Sequence, residues 1–332
     1  MKLKIGLLGV GHLGEIHLRC IQALEAYELL GFYDPDPNRS EIIAEQYGVK
    51  RYDSDDALMA AVEVVDIVTP TVEHFRLAKK AIEMGKHVFI EKPMCHRLEE
   101  ARALLDLEEK YGVKIQIGHV ERFNPALLAM KDHPIAPMFI EAHRLAVFNP
   151  RGTDVSVILD LMIHDLDIIL SWVDAPVKFI SASGVAVVSN SPDIANARIE
   201  FENGCVANLT ASRISMKQMR KVRLFQRDAY ISLDFLDKQA QIVRLYNKEA
   251  ADLPKDIGLM ELDTNDGTKM IHVEMPQIEP VNAIQMELNT LASSILKDVP
   301  TPVPAKAGYR AMDLAYRIIE QIEERRENHL HD

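Results

Sequence analysis

The sequence predicts an α/β protein in two parts. Residues 1–122 read as a doubly wound parallel sheet, and 123–332 as an α+β domain with an open, mostly antiparallel sheet. Three observations carry this expectation. Strand and helix patterns alternate with short links to about residue 120, as crossover helices around a parallel sheet require. Beyond about residue 125 the pattern changes to successive alternating strands separated by turn residues. At 332 residues the chain also exceeds the usual size of one hydrophobic core.

The first strand, with Leu3, Ile5, Leu7 and Leu8, runs straight into Gly9, Gly11 and Gly14, and EIHLRCIQAL continues as a helix. This strand, GxGxxG turn and helix form the phosphate cradle of a dinucleotide-binding βαβ unit. The first glycine permits the tight turn, the second lets backbone approach a pyrophosphate, and the third lets helix and strand pack closely. The free N–H groups of the helix start, at His12 and Leu13 between the glycines, face the phosphates. YELLGFYD is a second strand ending in Asp34, 20 residues beyond Gly14. A carboxylate there accepts from the ribose hydroxyls and repels a 2′-phosphate, so NAD is expected over NADP. Arg39 stands near enough in sequence to favour the phosphate instead. The competing reading of Asp34 is a solvated carboxylate in the turn DPDPN.

Further along, SEIIAEQYG is a helix closed by Gly48, VEVVDIVTP a strand ended by Pro70, and EHFRLAKKAIEMG a helix with Gly85 past its end. KHVFIEK, LEEARALLDLEEKYG and VKIQIGH follow as strand, helix and strand. Ligands of such sheets bind at the carboxyl ends of the strands, where Gly9, Asp34, Thr69, Pro70, Lys92 and His119 all fall. In the second part, MFIEAHRLAVF is a strand and VSVILDLMIHDLDIILSWV one long helix. KFISASGVAVV, NARIEFENG, CVANLTASRI, MRKVRLFQRDAYISLDF and QAQIVRLYN are strands, and two helices around PTPVP close the chain. With helices on one face of this sheet, its other face is expected to be covered by subunit association, as a homodimer or homotetramer. No internal repeat or low-complexity segment is present.

Composition narrows the function. A formal charge of −12 argues against nucleic acid or an anionic membrane surface as partner. Cys20, Cys95 and Cys205 form no CxxC pair, so neither a disulfide framework nor a zinc site is expected. No secretory h-region or run of about 18 apolar residues occurs, and a cytoplasmic location follows as the expectation.

Four constellations are candidates for chemistry. Lys92, between Glu91 and Pro93, ends a strand on the cofactor rim, where a partly desolvated ammonium can stabilise a developing alkoxide or exchange a proton. Pro93 restricts the residue before it and is a candidate cis bond. The competing reading is a surface lysine at a loop start. In ILDLMIHDLD, Asp160 and His164 are four apart and share a helix face, with Asp167 on roughly the same side. A carboxylate one turn from an imidazole fixes its tautomer and raises its basicity, as general acid–base work needs. A satisfied core histidine, a metal site of these three residues without a partner cluster, or a structural network at the helix N-terminus are the alternatives; no metal is expected. In GHVERFNP, His119 or Arg122 faces substrate or forms a domain-junction salt bridge. The loop FNPRGTD supplies Asn149, Arg151 and Thr153 as a substrate wall, and Arg144, Arg213 and Lys217 supply positive charge for an anionic substrate.

Together these stretches resemble the Gfo/Idh/MocA family, which includes glucose–fructose oxidoreductase and inositol dehydrogenase, along nearly the whole chain. GLLGVGHLG is similar to the family's first turn, VDIVTPTVEH to its segment over the nicotinamide (Thr69, Pro70, His74), and KHVFIEKP to its signature strand. DLMIHDLD is similar to its D-x-G-x-H-x-x-D pattern. The resemblance implies a Rossmann domain binding NAD with Glu91 and Lys92 on the cofactor side, and catalysis by Lys92, His164 and Asp160. Whether Lys92 or His164 accepts the proton stays open. The pattern's glycine is Met162 here, a bulk that would narrow the pocket or tilt the helix. GHVERFNPA and NPRGTDVSVILDLMIHDLD are most similar to members that oxidise the 3-hydroxyl of UDP-N-acetylglucosamine. A dehydrogenase of a free sugar, inositol or other cyclic polyol is the second expectation, and a non-catalytic NAD(P)-binding regulatory protein the third.

Overall fold

The computed structural model describes residues 2–149, 155–248, 253, 258–265 and 267–330. The chain divides into two compact units, Met1–Phe123 with Asn282–Asp313, and Asn124–Val281 with Leu314–Asp332. The first cut falls close to the expected boundary at 122/123. The segment Asn282–Asp313, expected in the second domain, instead returns to the first unit.

The first unit runs β1 (Leu3–Leu8), α1 (His12–Gln22), β2 (Tyr27–Tyr33), α2 (Pro37–Tyr47), α3 (Asp55–Ala61), β3 (Val64–Ile67), α4 (Thr71–Glu83), β4 (His87–Glu91), α5 (Leu98–Tyr111) and β5 (Ile115–Gly118). A 3₁₀ turn, Val120–Phe123, follows. The five strands pair in parallel in the order β2-β1-β3-β4-β5. Strand order reverses between β1 and β3, which opens a crevice at their carboxyl ends. The strands are apolar almost throughout because helices cover both faces. Local chemistry sets the helix ends. Asp36 caps α2 by accepting from the N–H groups of Asn38 and Arg39, Ser54 caps the short α3, and Gly48 and Gly112 end α2 and α5 in the left-handed conformation.

In the second unit α6 (Pro125–Leu128) and β6 (Phe139–Leu145) lead to a π-helical turn, Ile158–Met162, that continues into α7 (Ile163–Trp172). Then come β7 (Val177–Val185), β8 (Ile194–Phe201), β9 (Val206–Ser212), β10 (Met219–Phe225), β11 (Ala229–Asp234), β12 (Gln239–Asn247), β13 (Met260–Thr264) and β14 (Gly267–Glu274). Their order is β13-β14-β12-β11-β10-β6-β9-β8-β7, antiparallel except for β6 with β9. The long strand expected over 219–235 is a hairpin, closed where the Gln226 N–H donates to the Ala229 carbonyl. Its polar turn has neither glycine nor proline to announce it. The hairpin β13–β14 carries little apolar alternation and escapes the periodicity argument, although Gly267 marks its turn.

Two helices follow, α8 (Ala283–Lys297) and α9 (Ala305–Leu330). The apolar face of α8 (Leu288, Leu291, Ala292) packs with Leu3, Ile21, Tyr27 and Phe89, which is why it belongs to the first unit. From Leu314 onward α9 joins α7 in the core under the large sheet, through Leu314, Ala315, Ile318 and Ile322. No helix among the described residues is long and apolar enough to cross a membrane. The buried Tyr27 hydroxyl donates to the Leu288 carbonyl at 2.8 Å, tying α8 to β2. Tyr27→Phe removes that bond while keeping the ring, and should cost about 1 kcal/mol of the first unit's stability, read from the shift of its urea unfolding midpoint.

Candidate functional site

The three glycines of the first turn each meet a different spatial demand. Gly9 has a φ of +88°, and a Cβ there would lie 2.7 Å from the Val68 carbonyl oxygen. A Cβ on Gly14 would lie 2.1 Å from the Gly9 carbonyl oxygen, so α1 can approach the turn only because this residue has no side chain. Gly11, at the cap of α1, has open space around its Cα. The tight turn, the close helix and the bare approach expected of the motif are therefore all present. His12 and Leu13 are exposed in the first turn of α1, where backbone N–H groups are left for a ligand.

A cavity of about 570 Å³ opens at the carboxyl ends of β1, β2 and β3, lined by Gly9, Gly11, Asp34, Thr69, Pro70 and Arg76 among others. Asp34 lines it while holding the glycine turn, with Oδ2 accepting from the Val10 N–H at 2.9 Å and Oδ1 from the Asp36 N–H. Arg39 is turned onto the turn itself, donating Nε–H to the Val10 carbonyl at 2.8 Å and pairing through Nη2 with Glu15 at 2.9 Å. Thr69 Oγ1 is buried and has no hydrogen-bond partner among the described residues. A cradle of bare backbone, a carboxylate on the wall and an unsatisfied hydroxyl in one cavity fit a dinucleotide. Glu73, Arg76, Leu77 and Tyr33 also line it and were not anticipated. Arg76 is tied to Glu73 and Asp55.

Two residues expected at the cofactor, His74 and Glu91, have side chains engaged within the protein. His74 is buried and staples two loops, with Nε2 2.8 Å from the Thr69 carbonyl and Nδ1 3.0 Å from that of Pro93. Burial pushes its pKa down against the pull of those carbonyls. Glu91 faces the interior, where Oε1 lies 3.1 Å from His17 Nε2 and Oε2 accepts from the Lys92 N–H at 3.1 Å. The Lys92–Pro93 peptide is cis, and the Lys92 side chain is half-buried at the end of β4. His119, just past β5, is buried, and Arg122 is half-buried in the following 3₁₀ turn.

In the second unit, Asp160 lies in the π-helical turn and His164 in the first turn of α7, both half-buried. The expected single helix is thus a π turn joined to an α-helix, and four residues still make close to one turn in it. Met162, at the glycine position of the resembling pattern, is fully buried in the core with Ile158, Leu166 and the sheet. Its bulk fills core space, contrary to the expectation that it narrows a pocket.

Two of the expected basic substrate contacts, Arg144 and Arg213, lie in buried ion pairs. Arg144 is 3% exposed and grips Asp165 with two hydrogen bonds, Nε to Oδ2 at 3.1 Å and Nη2 to Oδ1 at 2.8 Å. Arg213, 5% exposed, pairs with Asp193 at 3.0 Å and donates to the Val155 carbonyl and the Ser191 hydroxyl. In a sheet interior a bidentate ion pair satisfies a charge that would otherwise be costly to bury, and these arginines serve that end. Asn149 and Lys217 are exposed, while Arg151 and Thr153 lie outside the described residues. Asp165, an acidic residue in an apolar run, and Asp193, in the polar stretch SNSPD, carried no sequence signal of this pairing. Asp193 also accepts from the N–H groups of Val187, Val188 and Ser189. Burial opposes ionisation, but those donors and the Ser189 hydroxyl hold its carboxyl well below the usual carboxylate range.

Comparison with known proteins agrees with this geometry. The family model described as "Oxidoreductase family, NAD-binding Rossmann fold" matches residues 3–119, and the "GFO/IDH/MocA C-terminal domain" matches residues 140–231. UDP-N-acetylglucosamine 3-dehydrogenase of Acidithiobacillus ferrooxidans is 35% identical over 95% of this chain and 96% of its own. A crystal structure of that enzyme superposes with a TM-score of 0.87 over 98% of both chains. The scyllo-inositol 2-dehydrogenase (NAD(+)) of Bacillus subtilis is 29% identical over 64% of this chain and 68% of its own.

Gly11→Ala should leave stability unchanged, since its Cβ meets no protein atom, yet weaken dinucleotide binding at least about tenfold in a fluorescence titration. Gly14→Ala should lower both, because a backbone carbonyl stands in the way. Asp193→Asn should lower Tm by about 5 °C or more at pH 7. The folded-state pKa of Asp193 is depressed, so its stabilisation is present above the ordinary carboxylate pKa and lost as pH falls through the folded value. The deficit of the variant should therefore shrink below about pH 4 in a pH series of melting curves.

Proposed function

The chain belongs to the GFO/IDH/MocA oxidoreductase family, and we propose on that footing that it oxidises a secondary hydroxyl of a sugar with NAD, the 3-hydroxyl of UDP-N-acetylglucosamine. The observation that carries the substrate is likeness to the Acidithiobacillus ferrooxidans enzyme, which runs through both units at nearly full length. Asp34 on the cavity wall favours NAD, because its carboxylate repels a 2′-phosphate. Arg39 is held by the Val10 carbonyl and Glu15, which leaves the adenosine end without a dedicated phosphate partner from that residue.

The bound dinucleotide supplies the hydride acceptor. Gly9, Gly11, His12, Leu13 and Gly14 hold its phosphates by backbone, and Thr69 and Pro70 wall the nicotinamide end. Lys92 donates a hydrogen bond from Nζ to the reacting hydroxyl oxygen and stabilises the negative charge that grows there. An imidazole nitrogen of His164 takes the hydroxyl proton, with Asp160 orienting the ring. Arg122, Asn149 and Arg151 remain the candidates for contact with the substrate. We place the protein in a reducing cytoplasm, in keeping with three buried, unpaired cysteines. We also infer a homodimer or homotetramer through the outer face of the nine-stranded sheet, which exposes Phe179, Val185, Ile194 and Phe225.

A specific observation supports a second reading. Arg144 and Arg213 were the charges expected to hold an anionic substrate, and both are committed to buried carboxylates. A neutral cyclic polyol, such as the inositol relatives act on, needs no such charges. The test is NADH formation with UDP-N-acetylglucosamine, free N-acetylglucosamine and myo-inositol, with a transaminase removing the ketone. Turnover confined to the nucleotide sugar is expected, and Lys92→Ala should lower it about 10²- to 10⁴-fold with dinucleotide affinity nearly intact. Turnover with the polyol alone would move the assignment to the second reading. No turnover with any substrate would favour a dinucleotide-binding regulator.

A further inference from the structure

Behind the strand end that carries Lys92 lies a buried cluster that the proposed reaction does not use. His17 of α1 sits between two carboxylates, Nδ1 2.9 Å from Asp66 Oδ2 of β3 and Nε2 3.1 Å from Glu91 Oε1 of β4. Glu287 of α8 offers a carboxylate oxygen within 4.8 Å of the facing His17 and Glu91 atoms. Glu287 is fully buried, and neither of its carboxylate oxygens has a hydrogen-bond partner among the described residues. The second oxygen of Glu91 accepts from the Lys92 backbone N–H. Gly118 of β5 makes room for this carboxylate, since a Cβ there would lie 2.7 Å from Glu91 Oε1.

Charge counting limits the protonation states. Three carboxylates and one imidazole share an interior in which the cation acting on Glu287 is His17 itself. If every acid were ionised, even an imidazolium would leave two uncompensated negative charges away from water. Both His17 nitrogens lie at hydrogen-bond distance from a carboxyl oxygen, so each contact shares one proton, held by the ring nitrogen or by the carboxyl. Asp66 Oδ2 and Glu91 Oε1 each have a hydrogen-bond partner in His17, and burial raises the Asp66 pKa against the pull of that ring. Among the described residues Asp66 leaves only Oδ1 without a partner while Glu287 leaves both oxygens so, which singles out Glu287 as the acid that holds a proton. Burial, reinforced by the charge of Glu91, raises the Glu287 pKa well above the usual value. Burial opposes the charging of His17, but Asp66 and Glu91 outweigh it and raise its pKa.

We propose that His17 and Glu91 are positioning residues for Lys92, in a buried network where Glu287 is held as the neutral acid. His17 lies on the helix whose first turn is the phosphate cradle, so Glu91 links that helix to the backbone of the lysine. The link rests on the reading of Lys92 as the residue that binds the reacting oxygen. The titratable neighbours of Glu91, His17 and Asp66 are Glu287 (α8), His74 (α4), Cys20 (α1) and Tyr27 (β2). Burial raises the Cys20 and Tyr27 pKa values and lowers that of His74, so those three are neutral at neutral pH.

The test uses the full-length protein with NAD and the sugar it turns over. Glu91→Gln and His17→Gln should each lower kcat about 10- to 100-fold while KM for the sugar changes little, the pattern of a displaced rather than a missing group. Glu91→Gln also removes a negative charge beside Lys92. The limb of the pH–rate profile that Lys92→Ala abolishes should then move to lower pH. Glu287→Gln reproduces a neutral acid and should leave kcat within about threefold. It should also erase an infrared carbonyl band of a protonated carboxyl that the wild type shows at pH 7. Unchanged kcat and pH profile in Glu91→Gln would overturn the positioning role. Absence of the carbonyl band, or one equivalent of divalent metal in the wild type that Glu287→Gln loses, would overturn the neutral acid. Lys92→Ala alone separates the failures, since full turnover in that variant removes the reading of Lys92 without touching the infrared result.

Discussion

The approach of the first helix to the first turn is the constraint on which the candidate site depends. The Gly9 carbonyl occupies the place where a side chain on Gly14 would begin, so α1 lies as close to the sheet as backbone allows. That closeness aims the free N–H groups at the helix start into the crevice beside β1 and β3. It also brings His17, one turn further on, between Asp66 and Glu91. One steric fact therefore serves both the cradle for the dinucleotide and the buried support behind Lys92.

Around that helix the first unit is held by side chains that reach across the sequence to backbone. Asp34 and Arg39 grip opposite polar groups of Val10, and His74 spans the loops after β3 and β4. Asp34 at a strand end, Arg39 on α2 and His74 on α4 each fix the path of a loop that has no regular structure of its own. A crevice built from loops keeps its shape only when such contacts satisfy their backbone groups.

Charge in the second unit follows a different logic. This acidic chain places Arg144 and Arg213 in the interior, each matched to an aspartate with fork-like or multiple hydrogen bonds. Arginine suits this task because its planar donors satisfy a carboxylate in one geometry. The same residues had looked like substrate ligands, since a lone arginine in sequence carries no mark of its partner. Met162 teaches a similar lesson. Its size is plain from the sequence, but whether that size faces a pocket or a core depends on the rotation of a π-helical turn.

The sequence by itself determined what short-range geometry controls. The glycine turn, Asp34 at the end of β2, the parallel order of the first sheet and Lys92 at the end of β4 all follow from spacing and period, because neighbours along the chain generate them. Tertiary structure alone decided which distant groups meet. Glu287 lies in a helix that sequence order places with the second domain, yet the apolar face of α8 packs on the first sheet and delivers that carboxylate to His17 and Glu91. Asp66 reads as an interruption in an apolar strand until the His17 ring is seen against it. Burial and long-range pairing depend on how separate elements pack, and no local pattern of residue types encodes that.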